Sequence, residues 1–390
     1  MRNLVRCALV AVATLTMLPV AAKDFDLASY LETVRARYGL PSLAAAVVSD
    51  GEAVASAAVG TRVKGMAIPV TVDDRYHIGS DTKAMTATLA GMMVDEGKLA
   101  WDSTIGDVLG DAVKDMNPKL AAVTLEQLLS HMSGIPSDTP EMIALYFNVN
   151  GFDFLPQDWR RRALEAWKHN LPVVPEGSPF QYSNFGYMIA GMMVETAAGM
   201  PWEQLIHERL FDPLGMTTAG IGPQASTGII DAAVGHRIEE DGSVTPMLWG
   251  PAADVPPLIA PAGAAHMSVG DFAKWGAWNA GGGKRRPSLV KRKTLANIHR
   301  KHVETPRIEN QRPGTPQEGG YALGWGVIDF DWTNGPVLTH NGSNSMNLAK
   351  ILVDTKGDLA IVVVTNYPGA DADAATSDVL EMLYKTYAPR

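Results

Sequence analysis

The sequence predicts an α+β fold: one antiparallel sheet assembled from strands at both ends of the chain, flanked by helices, with a mostly helical region inserted between them. Three observations carry this prediction. Strand-like runs gather near residues 43–59 and again at 321–365. Helical periodicity fills the stretch between, about 95–260. A helical segment also stands outside the strands at each end.

Taken in order, Phe25 to Tyr38 has apolar residues near helical spacing and stops at Gly39-Leu40-Pro41. Leu43 to Val48 and Ala53 to Val59 are small and β-branched runs joined around Asp50-Gly51, a dipeptide suited to a tight turn, and so predict a hairpin. The strand-like Tyr76-His77-Ile78 leads into a helical stretch from Ser80 to about Gly97. The middle of the chain is punctuated by Pro136, Pro140, Pro156, Pro172, Pro175 and Pro179, whose loops can shape a pocket. Ala90-Gly91-Met92-Met93-Val94 is echoed once, by Ala190-Gly191-Met192-Met193-Val194. A single echo is not a repeat architecture, and reads as two helices that use Gly for close approach and Met as core filler. Tyr321 to Phe330, Val337 to His340, Leu348 to Val353 and Leu359 to Thr365 read as four strands, separated by Asn334-Gly335, Asn341-Gly342 and Lys356-Gly357. A last helix follows from about Ala372 to Tyr387.

Composition narrows the function. The 390 residues are 46% hydrophobic and 19% charged, as in a folded enzyme, and 33 basic against 42 acidic residues give a net charge of −9, which argues against a nucleic-acid partner. Residues 1–22 read as an export signal. Arg2 and Arg6 precede an apolar stretch from Cys7 to Val20, and Val20-Ala21-Ala22 offers a small-residue cleavage site. That stretch is shorter than the roughly 20 residues of a membrane span, and no later run is apolar for so long, so no transmembrane helix is expected. Cleavage would remove Cys7, the only cysteine, which excludes a catalytic thiol and an intramolecular disulfide. The expected protein is soluble and exported, with the bacterial periplasm favoured. His299 and His302 sit among Lys291, Arg292, Lys293 and Arg300, whose charge opposes a cation, so neither a metal site nor a cofactor is expected.

Three segments can carry chemistry. Ser80-Asp81-Thr82-Lys83 opens a helix, where residues three apart share a face, so Ser80 and Lys83 can hydrogen-bond. A lysine whose pKa is lowered by burial can take the proton of a serine hydroxyl and make it a nucleophile. Alone, the pair is better explained by an N-cap serine and a solvated lysine. Tyr182 and Asn184 lie two apart before another helix, so both can face one pocket. The phenol can shuttle a proton there, and the amide can orient a substrate carbonyl or Lys83. Thr339-His340-Asn341-Gly342-Ser343 ends a strand. Gly342 admits close approach of a substrate backbone, the Ser343 N–H can join that of Ser80 in an oxyanion hole, and His340 would face the cleft.

Together these elements, in this order, resemble the penicillin-recognising serine hydrolases, most closely the class C β-lactamase-like branch. The likeness spans about 25–385 and includes Val123 to Pro136, Phe180 to Glu195, Leu210 to Thr218, Pro261 to Trp275 and Tyr321 to Val327. It implies a single β-lactamase/transpeptidase-like domain over 23–390. It also implies Ser80 as the acylated nucleophile, Lys83 and Tyr182 as the proton-transfer pair, Asn184 as an orienter of substrate and lysine, and His340 in the third motif. Lysine or tyrosine could serve as the base.

One departure bears on substrate. His340-Asn341 stands where many relatives carry Lys-Thr, and a histidine is mostly neutral at pH 7, so an anionic β-lactam should be held more weakly. The leading expectation is therefore an esterase-like hydrolase of small ester, amide or peptide substrates. A β-lactamase or D-amino-acid peptidase is the alternative, and a non-catalytic binder of cell-wall fragments a more distant one. Trp249, Trp275, Trp278 and Trp325 fit either an acyl pocket or core packing.

Overall fold

Along Ser42–Ser49, Leu43, Ala45 and Val47 point to one side of the sheet, while Ala44, Ala46 and Val48 point to the other. Both sets are buried in separate cores. Side chains alternate faces along a strand, so a strand covered on both sides reads as one unbroken apolar run. Leu359–Thr365 repeats the pattern, with Leu359, Ile361 and Val363 in one core and Ala360, Val362 and Val364 in the other. The helices Leu27–Arg37 and Gly369–Tyr387 cover the first face. Val269–Ala280 and the helical region cover the second, where Trp275 stacks on Trp278 and Trp325. These three tryptophans are core residues.

The computed structural model describes residues 25–149, 155–248 and 253–389. The expected signal segment 1–22 and Trp249 lie outside them. Eight antiparallel strands form the main sheet. It begins at Glu52–Gly60 and passes through Ser42–Ser49, Leu359–Thr365, Leu348–Asp354, Val337–Ser343, Gly326–Ile328 and Gly320–Tyr321 to Val303–Glu304. The N-terminal and C-terminal strands meet as second and third of the eight, where Ala44 pairs with Val364 and Val47 with Ile361. Asp50 and Gly51, both at positive φ, close the first hairpin as their sequence predicts.

Two expectations need correction. The run Tyr321 to Phe330 is not one strand, because the chain turns at Gly324, whose φ is +79° and whose Cβ, if it had one, would lie 2.6 Å from the Ala84 backbone. Asn341-Gly342 is not a turn either. The strand runs on to Ser343, pairing Asn341 with Lys350 and Gly342 with Ala349, and the reversal comes at residues 344–347.

The helices Thr82–Asp95 and Asn184–Ala198 pack on one another, and the echoed glycines each admit a neighbour: Gly91 lies against Ile298 and Thr294, and Gly191 against Pro261. The helical region carries one buried charge cluster. Arg160, wholly buried on Pro156–Trp167, is bound by Glu195 (2.5 Å) and Glu203 (2.9 Å). Among the described residues, no helix is long and apolar enough to cross a membrane.

Candidate active site

Tyr76–His77 pairs with Ala265–Met267, and Ile78 N–H donates to the Ala265 carbonyl, so the segment before Ser80 is tied into a small sheet. A 3₁₀ turn, Gly79–Asp81, then feeds Thr82–Asp95. Thr82 Oγ1 donates to the Gly79 carbonyl and Thr86 Oγ1 to the Pro261 carbonyl, which locks the helix against residues 260–265. His77, fully buried, accepts the Gly79 N–H at Nδ1 (3.1 Å) and has Asp254 Oδ1 2.8 Å from its Nε2.

Lys83 is wholly buried, and its Nζ has three partners: Ser80 Oγ at 3.0 Å, Asn184 Oδ1 at 2.6 Å and the Ala262 carbonyl at 2.7 Å. The last two can only accept. A neutral amine has two N–H bonds and one lone pair, so with those bonds given to Asn184 and Ala262 the lone pair faces Ser80 Oγ. Burial lowers the Lys83 pKa to about 7, against the opposing pull of Asp138 and Asp81. An amine able to accept the serine proton is thus available near neutral pH.

Burial pushes the Tyr182 phenol above the usual range, against the neighbouring Ser80 hydroxyl, so it stays protonated. The Lys83 ammonium lies 4.7 Å from the Tyr182 ring centroid and 5.4 Å from that of Tyr187. Ser183 caps the Asn184–Ala198 helix, accepting from Gly186 N–H, which leaves the Asn184 side chain free to reach Lys83. Asn184 Nδ2 donates to Asp138 Oδ2 at 2.5 Å, and Tyr146 OH donates to the other oxygen at 2.9 Å. His131, buried at φ +61°, accepts Ser183 N–H at Nδ1, and its ring centroid is 4.2 Å from that of Tyr182. It supports the Tyr182 segment from below.

Val337–Ser343 forms the opposite wall. A Cβ on Gly342 would lie 1.7 Å from the Ile78 carbonyl oxygen and 2.8 Å from Asp81 Oδ2, and one on Gly79 would lie 2.2 Å from Ser343 N. These two glycines let the strand seat directly on the Gly79–Asp81 turn. Ser343 Oγ donates to the Asn347 carbonyl. His340 is buried, with Nε2 2.9 Å from Tyr321 OH and Nδ1 3.7 Å from Asp81 Oδ1. Burial and the nearby Lys83 bring its pKa to about 3, against the Asn341 carbonyl, so the ring is neutral at pH 7. Asp81 is buried with no hydrogen-bond partner for either oxygen, and burial raises its pKa well above the carboxylate range despite Lys83 and Lys350.

The structure therefore gathers Ser80, Lys83, Tyr182 and Asn184 at one point, with His340, Gly342 and Ser343 on the facing strand. Asp138, Asp81, Tyr321 and His77 were not found by sequence reading. Asp138 lies in a segment with no motif spacing to mark it, and Tyr321 opens the family-like stretch Tyr321 to Val327, to which sequence reading gave no site role. Asp81, sitting inside Ser-x-x-Lys, could have been flagged by its position. Beside Tyr182 opens a cavity of about 520 Å³, which Tyr321 and His340 also line.

A serine hydrolase is the class that this fold and this site define. The chain belongs to the Beta-lactamase family, whose model matches residues 27–384. Penicillin-binding protein 4 of Amycolatopsis lactamdurans is 28% identical over 351 residues, 88% of this chain and 86% of that protein. The unguisins hydrolase ungD' of Aspergillus campestris is 25% identical over 93% of this chain, which spans 65% of the length of that relative. Among solved structures, a penicillin-binding protein homologue from Pyrococcus abyssi has a TM-score of 0.72 at 24% identity, covering 91% of this chain and 76% of that one. The D-amino acid amidase of Ochrobactrum anthropi has a TM-score of 0.70 at 22% identity, covering 92% and 95%. Both share the fold of this chain.

Proposed function

We propose that this protein is an exported, esterase-like hydrolase that cleaves small esters or amides through an acyl-enzyme on Ser80. The observation that carries the reading is the set of contacts at the buried Lys83 Nζ, two obligate acceptors and Ser80 Oγ, which in the neutral amine leaves the lone pair for Ser80. Neutral Lys83 takes the Ser80 proton as Oγ bonds to the substrate carbonyl carbon. The resulting oxyanion is received by the N–H groups of Ser80 and Ser343. Collapse breaks the bond to the alcohol or amine, which leaves with a proton passed from Lys83 through Tyr182. Water then repeats the sequence on the ester of Ser80 and frees the acid. A lowered lysine and a raised tyrosine favour Lys83 as base and Tyr182 as proton carrier.

A peptidase or β-lactamase acting through the same residues is the second reading, favoured by the penicillin-binding relative. Neutral His340 in the third motif argues for esters first. Intact-mass spectrometry after treatment with a fluorophosphonate and, separately, a penicillin tests the acyl-enzyme, with Ser80→Ala as control. A fluorophosphonate adduct on Ser80 is expected, and its absence overturns the proposal. Turnover of a nitrophenyl ester against a chromogenic cephalosporin ranks the two readings, and a clear cephalosporin preference reverses them.

A further inference from the structure

We propose that the cavity beside Tyr182 is the specificity pocket of this hydrolase, and that it takes an uncharged aromatic or branched apolar group of the substrate. The inference rests on the reading of Ser80 as nucleophile, because Tyr182, whose ring centroid lies 4.7 Å from the Lys83 Nζ that contacts Ser80 Oγ at 3.0 Å, also forms part of the cavity wall. A substrate group entering the cavity thus lies next to the reacting bond.

The chemistry of the lining selects the ligand. Phe180 and Tyr321 stand 5.6 Å apart at a tilt and make an aromatic wall, while Pro306, Ile308 and Ile328 supply aliphatic surface. Among the described residues that line the cavity there is no lysine or arginine. Neighbouring cations are engaged elsewhere: Arg307 pairs with Glu318 at 3.1 Å and Lys301 with Glu304, while Lys83, 4.7 Å from the Tyr182 ring centroid, is held by Ser80, Asn184 and the Ala262 carbonyl. His340 Nε2 meets Tyr321 OH and its Nδ1 the Asn341 carbonyl, and the Thr339 hydroxyl donates to the Ile351 carbonyl. A carboxylate entering here would lose its water without gaining a cation, a cost of several kcal/mol by general transfer arguments, whereas a phenyl ring gains aromatic neighbours at edge and face distances.

Ile308 adds an independent sign. It is 56% exposed at the edge of the cavity, a large apolar side chain left in water, in a loop whose other residues from Arg307 to Glu318 are mostly polar. A bound ring that covers Ile308 removes apolar surface from water on both partners. The cavity, about 520 Å³, has room for a substituted phenyl group.

Two ester series test the pocket from either side of the scissile bond: nitrophenyl acetate, phenylacetate and hemisuccinate vary the acyl group, and ethyl and benzyl acetate vary the alcohol. In at least one series the phenyl-bearing ester should have a kcat/KM roughly tenfold or more above its small counterpart, with the hemisuccinate no better than the acetate. Ile308→Asp should cut that phenyl preference roughly tenfold. No phenyl preference in either series, a preference for the hemisuccinate, or a preference ratio unmoved by Ile308→Asp overturns the inference. A readout free of turnover separates it from the proposed reaction. Calorimetry with Ser80→Ala should detect phenylacetamide but not acetamide, and Ile308→Asp should weaken the former. Binding without ester hydrolysis would sink the esterase reading and leave the pocket standing, while hydrolysis without selective binding would do the reverse.

Discussion

Lys83 Nζ stands 3.0 Å from Ser80 Oγ while the lysine is shut away from solvent. A buried ammonium is costly, and here its cost lies where a proton acceptor is needed. Lys83→Ala should lower kcat/KM for a nitrophenyl ester by about 10²–10⁴, with the circular dichroism spectrum unchanged. Lys83→Arg keeps the charge but cannot release its proton near neutrality, and should be as inactive. Activity in the arginine variant would mean that charge, not basicity, is what position 83 supplies.

Activity should depend on pH through the same group. The neutral amine is the working form and the Lys83 pKa is about 7, so kcat/KM should climb as pH rises through that value and level off above it. The negative charge of Asp138 supports the ammonium, so removing it makes the proton easier to lose. Asp138→Asn should therefore move the acidic limb to lower pH. Rate profiles on a non-ionising ester measure both limbs, and a shift to higher pH would contradict the sign.

Gly342 has no room for a methyl group. Gly342→Ala drives a carbon into the Ile78 carbonyl, so the strand must lift from the Gly79–Asp81 turn. Overpacking of this kind costs about 1–3 kcal/mol, read as a lower urea midpoint. The rate should fall further than the stability loss explains, because the lifted strand carries Ser343. Unchanged stability and rate would mean that the strand yields freely.

Arg160 offers a test away from the chemistry. Its guanidinium is buried between Glu195 and Glu203, so Arg160→Met leaves Glu195 without its partner in the interior. Breaking such a pair typically costs about 3–5 kcal/mol. The double variant Arg160→Met/Glu195→Leu removes the two most buried charges, leaving only the partly exposed Glu203, and should recover a large part of the loss in urea titrations. No recovery would show that packing, not the stranded charge, sets the cost.

The sheet was legible where unbroken β-branched runs and turn chemistry agree. Leu43 to Val48, Asp50-Gly51 and Leu359 to Thr365 fall within a residue or two of the observed elements. Legibility failed where the third dimension decides. Asn341-Gly342 has the composition of a turn, yet Gly342 is there because Ile78 crosses it. Gly324 breaks a strand because the Thr82–Asp95 helix passes beneath it. At the site, Ser80 and Lys83 are neighbours on one local turn, so their spacing sufficed. Asp138 reaches Asn184 only through a loop docked from elsewhere, and no local pattern encodes that meeting.

The pairing of the chain ends also sets the moment at which the enzyme comes into being. Ser42 Oγ donates to Asn366 Oδ1 across 324 positions, and the first strand lies between a hairpin neighbour and the last strand of the sheet. A ribosome that has delivered Ser80, Lys83, Tyr182 and Asn184 has not yet delivered the wall that carries His340 and Ser343, nor the strand that the N-terminal hairpin must join. Such long-range closure is slow and comes late. The residues gathered around Lys83 are therefore complete in sequence long before the facing wall exists, and the proposed site closes only when the C-terminal strands join the N-terminal hairpin.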